Sequence, residues 1–166
     1  MTIRTDIIIA EKLWKSYPNI SREIKSLIKQ ITPQTPLSII KKIEVSILLT
    51  NDQQIQELNK NYRHKDKPTN VLSFPLLDGK KIKNGNLKNL NLNGDYLALG
   101  DIVIAYQTVF KEAKDQNKTF QNHLTHLLIH SLLHLIGFDH EKEKDAKIME
   151  GLEIEILANL GIKNPY

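Results

Sequence analysis

The spacing of apolar residues switches repeatedly along this chain between the continuous or alternating runs of a strand and the three-and-four spacing of a helix. Residues 3–9 are rich in Ile and predict a strand. Ile20, Ile24, Leu27, Ile28 and Ile31 share one side of a predicted helix over 20–31; Asn19 or Ser21 can cap its start and Pro33 lies just past its end. A second strand is expected over 43–49. Thr50, Asn51 and Asp52 can cap a helix running to about Asn61, with Ile55 and Leu58 turned inward. Residues 69–75 form a short extended segment ending in Pro75, which cannot donate to a ladder and so favours a sheet edge or strand end. Residues 78–95, rich in Asn, Lys and Gly, predict a loop. A strand over 98–105 precedes helices at about 106–116, 119–136 and 142–160. This order argues an α/β (α+β) fold, a small mixed sheet of about four strands packed with about five helices. With no internal repeat and no linker, residues 1–166 are expected to form a single domain, long enough for a substantial core.

Composition narrows the chemistry. The chain has no cysteine, which excludes a disulfide framework, a cysteine-based zinc finger, an iron–sulfur cluster and a cysteine nucleophile, and fits a reducing compartment. The apolar run Ile7–Ala10 is flanked by Asp6 and Glu11 and is too short for a signal peptide, and no stretch approaches the length of a membrane span. A soluble, cytoplasmic protein without a membrane partner is expected. Charge is unevenly spread: residues 59–88 hold eight cations against two carboxylates, +6, so the remainder of a +4 chain carries −2. Residues 139–155 hold seven acids and three lysines. One basic segment and one acidic helix make a directional field that draws a polyanion such as RNA to the basic side. For 80–88 alone, a solvated lysine-rich loop explains the charge as well.

The densest chemistry lies in His130-Ser131-Leu132-Leu133-His134-Leu135-Ile136-Gly137-Phe138-Asp139-His140. His130 and His134 project from one helix face a turn apart. Gly137 can take the left-handed conformation that ends a helix, letting His140 fold back toward that face. Three converging imidazoles at the end of the penultimate helix describe a catalytic-type zinc site, one Zn2+ held by three protein ligands with a fourth position open. Nickel, cobalt or iron would also suit such a set. Leu127, Leu128, Leu132, Leu133, Leu135 and Ile136 read as core and as a dry wall for the ligands. His123 lies about 16 Å along the helix from His134 and is expected to face solvent. His126 is one turn before His130, able to support a ligand without being one.

The skeleton His-x3-His-x2-Gly-x2-His also occurs in metzincin proteases, but these need a Glu after the first His as general base. Here that position is Ser131, whose neutral hydroxyl cannot serve, so peptidase chemistry by that route is disfavoured. The motif instead resembles that of the YbeY endoribonucleases, His-Gly-x-Leu-His-Leu-x-Gly-Tyr-Asp-His. Two further blocks carry the resemblance: Asn59-x-x-Tyr62-Arg63-x-x-Asp66-x-Pro68-Thr69-x-Val71-Leu72-Ser73-Phe74-Pro75, and Leu99-Gly100-Asp101-Ile102. Ser131, Phe138 and Asn70 stand where that family usually has Gly, Tyr and Asp; none of these departures removes a metal ligand.

The resemblance implies a zinc-dependent, single-strand-specific endoribonuclease acting on 16S rRNA in 3′-end maturation and in ribosome quality control, in association with the small subunit or ribosome-associated proteins. It implies His130, His134 and His140 as metal ligands and Arg63 as the functional arginine. A guanidinium is always charged and grips a phosphate with two parallel hydrogen bonds, so Arg63 is the candidate for holding the scissile phosphate and stabilising transition-state charge. Lys65 and Lys67 are candidates for substrate binding beside it. Asp139 either orients a ligand imidazole or caps the turn before the last helix. Ser73 and Phe74 line the groove or simply end a strand, and Gly100 marks a packing or bulge position. Two rival readings fit the same residues: a metallohydrolase of another substrate, and a non-catalytic ribosome- or RNA-binding factor with a structural metal.

Overall fold

Strand and helix alternate in the computed structural model, which describes residues 1–77, 82–90 and 95–166. The expected loop over 78–95 lies partly outside the described residues; its described part contains a short 3-10 turn, Leu87–Asn89. The elements are β1 (Thr2–Ile9), α1 (Ile20–Ile31), β2 (Lys42–Thr50), α2 (Asp52–Arg63), β3 (Val71–Pro75), β4 (Tyr96–Ala105), α3 (Tyr106–Asp115), α4 (Phe120–Leu135) and α5 (Glu143–Asn159).

The strands form one mixed sheet in the order β1-β2-β4-β3. β1, β2 and β4 are mutually parallel, and β3 runs antiparallel to β4 at the edge. Pro75 therefore ends an edge strand, where its missing N–H removes no central ladder bond. Register slips once between β2 and β4: Glu44 faces Ala98 but Val45 faces Gly100, so Leu99 is the extra residue of a bulge. Gly100 sits there at φ +127°, and a Cβ would lie 2.1 Å from the Phe74 carbonyl oxygen. Only glycine lets β3 approach β4 at this point.

Alternation along β2 explains the layers. Ile43, Val45, Ile47 and Leu49 point into the main core with Ile24 and Ile28 of α1 and Leu128 and Leu132 of α4. The opposite face carries a smaller cluster in which Ile55 of α2 packs on Leu72, Val103 and Ala105. The sheet is thus covered by helices on both faces, α2 on one and α1 and α4 on the other.

Predicted boundaries differ from observed ones by a residue or two at most ends, because caps rather than periodicity set them. Asn51 accepts from the Gln54 N–H at the start of α2, and Thr119 accepts from Asn122 N–H at the start of α4. Asn19 stands at the start of α1 but makes no side-chain capping bond. Trp14, on a short 3-10 turn that apolar spacing does not reveal, is fully buried and donates its indole N–H to the Thr50 carbonyl at 2.9 Å.

Candidate metal centre

The C-terminal turn of α4 is built by backbone geometry that its sequence specifies. Gly137 takes φ +82°. Its N–H reaches the His134 carbonyl, and the Phe138 N–H reaches back to Leu133, both at 3.1 Å. These are the paired bonds of a Schellman stop, which reverses the chain within a few residues. A Cβ on Gly137 would meet the Ile82 carbonyl oxygen at 2.5 Å. Segment 82–86 also bonds directly to the turn: Asn84 N–H to the Gly137 carbonyl and Gly85 N–H to the Ile136 carbonyl, both 3.0 Å.

The reversal brings His140 back to the other two histidines. Ring centroids lie 4.5 Å apart for His130–His134, 5.0 Å for His134–His140 and 5.3 Å for His130–His140. One nitrogen from each ring falls within 4.8 Å of the others.

Hydrogen bonding decides which nitrogens converge. His130 Nδ1 is 2.6 Å from Glu153 Oε1, and His134 Nδ1 is 2.9 Å from the Phe138 carbonyl. Both partners are acceptors, so both rings carry their proton on Nδ1. The two Nε2 atoms then face each other at 3.0 Å as bare lone pairs. Two such lone pairs repel unless a proton or a metal ion lies between them, and neutral imidazole lone pairs are what a divalent transition metal takes. The donor set therefore fits a metal ion. Burial, followed by the neighbouring His130 and His140, pushes the His134 imidazole down to about 4, against a smaller opposing pull from the Phe138 carbonyl and Asp139. His134 is thus neutral at neutral pH, with its Nε2 lone pair able to ligate.

Glu153 of α5 was not singled out by sequence. It is fully buried. Burial alone would raise its carboxyl, but hydrogen bonds from His126, His130 and Tyr166 outweigh that and bring it down to about 2. Its Oε2 takes the His126 Nε2 contact at 3.2 Å and the Tyr166 hydroxyl. A signal existed: Glu153 falls on the stripe of Met149, Ile156 and Leu157, so it is an acid at a core-facing position. The Phe138 carbonyl carries no side-chain signal at all, and its contact with His134 is indifferent to the Phe-for-Tyr departure.

His123 departs from the expected solvent-facing position. It is buried, and its Nε2 lies 2.7 Å from Glu112 of α3, which packs over this face of α4. Asn70 donates to the same carboxylate at 3.0 Å. A carboxylate at position 70 would face Glu112 with like charge, so the amide suits this network.

A cleft of about 540 Å³ opens over the imidazoles. His130, His134, His140 and Asp139 line it together with Arg63, Lys65 and Ser73. Arg63 is the last residue of α2 and makes no ion pair among the described residues. His64, left-handed at φ 58°, ends that helix directly after it. Lys67 is exposed but outside the cleft lining, where Asn59 Nδ2 holds its carbonyl at 2.8 Å. Asp139 Oδ1 accepts the His140 backbone N–H at 2.7 Å, fastening the turn, and makes no bond to an imidazole among the described residues. Phe74 packs on the opposite sheet face, with Leu72 and Tyr62. Ser131 is buried and does not line the cleft, so no general base stands at that position.

A mixed α/β sheet covered by helices, with three imidazoles that could hold a metal ion and the cations Arg63 and Lys65 lining one cleft, describes the class of protein. The endoribonuclease YbeY family model matches residues 10–161. Endoribonuclease YbeY of Bradyrhizobium diazoefficiens is 40% identical over 163 residues, covering 98% of this chain and 84% of that protein. The chain belongs to the YbeY endoribonuclease family, whose substrate class is RNA. The solution structure of TM1509 from Thermotoga maritima shares the fold, with a TM-score of 0.53 at 24% identity over 96% of this chain and 92% of that one. No described helix is long and apolar enough to cross a membrane.

Proposed function

We propose that residues 1–166 act as a single zinc-dependent domain that cuts single-stranded RNA, with 16S rRNA 3′-end maturation and ribosome quality control as its setting and the cytoplasm as its compartment. The observation that carries the metal part is the pair of Nε2 lone pairs facing each other at 3.0 Å, with His140 beside them. His130, His134 and His140 would hold the ion, which when bound supplies Lewis-acid polarisation of a phosphoryl oxygen.

The protein's own groups do the rest. Arg63, which lines the cleft and has no carboxylate partner among the described residues, grips the scissile phosphate and stabilises its growing charge. Lys65 adds positive potential inside the cleft, and Lys67 extends it along the approach. Asp139 holds the turn that carries His140. The ribosomal small subunit and its associated proteins are the partners this reading assigns.

Metal content and cleavage of single-stranded rRNA, measured together on purified protein, test the proposal. The wild type is expected to carry about one zinc per chain, as a three-histidine site requires, and to cut single strands in preference to duplex. His134→Ala loses both metal and cleavage. Arg63→Ala keeps the metal and loses about 100- to 1,000-fold in rate, the usual cost of removing one transition-state donor. Cleavage by His134→Ala at the wild-type rate would overturn the assignment and favour a binding factor.

A further inference from the structure

We propose that Glu153 is a positioning residue for the three-imidazole site, locking the tautomer and angle of His130 so that its Nε2 lone pair is presented to the ion. The inference rests on the metal reading above and concerns a residue outside the ligand set.

The geometry is that of a clamp. One carboxylate oxygen of Glu153 takes the His130 Nδ1 proton at 2.6 Å. The other is held by His126, one helical turn earlier on α4, and by the Tyr166 hydroxyl from beyond the end of α5. Contacts from two sides leave the carboxylate no freedom to rotate away, and the ring it holds inherits that rigidity. A ligand imidazole commonly gives its second N–H to a carboxylate or carbonyl, which fixes ring orientation and strengthens the donor nitrogen. His134 has the weaker, neutral version in the Phe138 carbonyl. His140 has neither among the described residues, which makes Glu153 the strongest anchor of the three-ligand set.

Charge gives a second, independent reason. A fully buried carboxylate is costly without a positive partner. Glu153 meets two imidazoles and a phenol, and no Lys or Arg pairs with it among the described residues. An ion held by His130 would add counter-charge to the carboxylate through the ring. The buried acid and the metal site thereby explain each other.

Two measurements on the full chain test this. Long-range proton–nitrogen correlation spectra of metal-free wild type, at neutral pH, report which nitrogen of His130 carries the proton. Nδ1–H is expected, and an Nε2–H tautomer would overturn the proposal whatever the variants do. Competition with a zinc chelator then compares wild type, Glu153→Gln and Tyr166→Phe. Glu153→Gln is expected to weaken zinc binding by about 10- to 100-fold and to mix the His130 tautomers. Tyr166→Phe, which leaves the His130 contact in place, gives a smaller loss. Wild-type zinc affinity in Glu153→Gln, with His130 unchanged, would mean that the carboxylate only fills space. If the wild type takes up no zinc, the metal reading fails instead, and the tautomer measurement still decides the role of Glu153.

Discussion

His134 and Glu153 show how the environment, rather than the residue type, sets what each group does. The unfolded His134 titrates near 6.5 and the folded one at about 4, so between these values the unfolded chain binds one more proton. Stability of the metal-free protein from this group is therefore full above pH 6.5 and is lost as pH falls toward 4. The expected slope is about 1.4 kcal/mol per pH unit within that window. Glu153 adds a second acid-labile contribution lower down, present above about 4.5 and lost as pH falls toward 2. Urea melts of the chelated protein at pH 7.5, 6 and 5 check the upper window, and a flat profile for the wild type contradicts it. In His134→Ala that slope should vanish while the lower one persists.

The elements were legible where one rule governed them, and opaque where two segments had to meet. Helix α1 begins at Ile20 and ends at Ile31 as its apolar spacing predicts, and Gly137 stops α4 as its missing Cβ allows. The three clustered histidines are legible because all of them sit on one helix and its turn. His123 is buried rather than solvent-facing because its partner, Glu112, arrives from α3, and helical position alone does not say which neighbour covers it. Glu153 required knowing that α5 packs against α4. Gly137 carries the sharpest prediction at this scale. Gly137→Ala forces a side chain into positive φ and against the Ile82 carbonyl. Strain of this kind costs about 1–3 kcal/mol before the clash is counted. Loss of at least that much in urea denaturation, with weaker zinc binding, is expected. Gly151, where a Cβ would meet nothing, is the control: Gly151→Ala should be neutral or stabilising.

Taken whole, the molecule has cations at Arg63, Lys65 and Lys67, at and just beyond the end of α2, and an excess of acids along α5, and the imidazoles share a cleft with Arg63 and Lys65. RNA affinity should therefore fall steeply with salt, and the slope should drop by about 0.7 for each phosphate contact removed on a single strand. Affinity of a metal-loaded His-intact protein for single-stranded RNA across a salt series, with Lys65→Ala and Lys67→Ala, measures this. Equal slopes for both variants and wild type would place the RNA path elsewhere. The three imidazoles of the candidate metal site are crowded into residues 130–140. Because the three imidazoles are close in sequence, the denatured chain is itself a loose chelator, without Glu153 or the Ile82 segment to organise it. An ion held at this site would then stabilise the fold only by the difference between its native and denatured affinities, less than the native affinity alone implies. Calorimetric titration of zinc into the urea-unfolded chain should detect this weak sink, and the melting temperature should level off as zinc rises, where binding to the native state alone would keep lifting it.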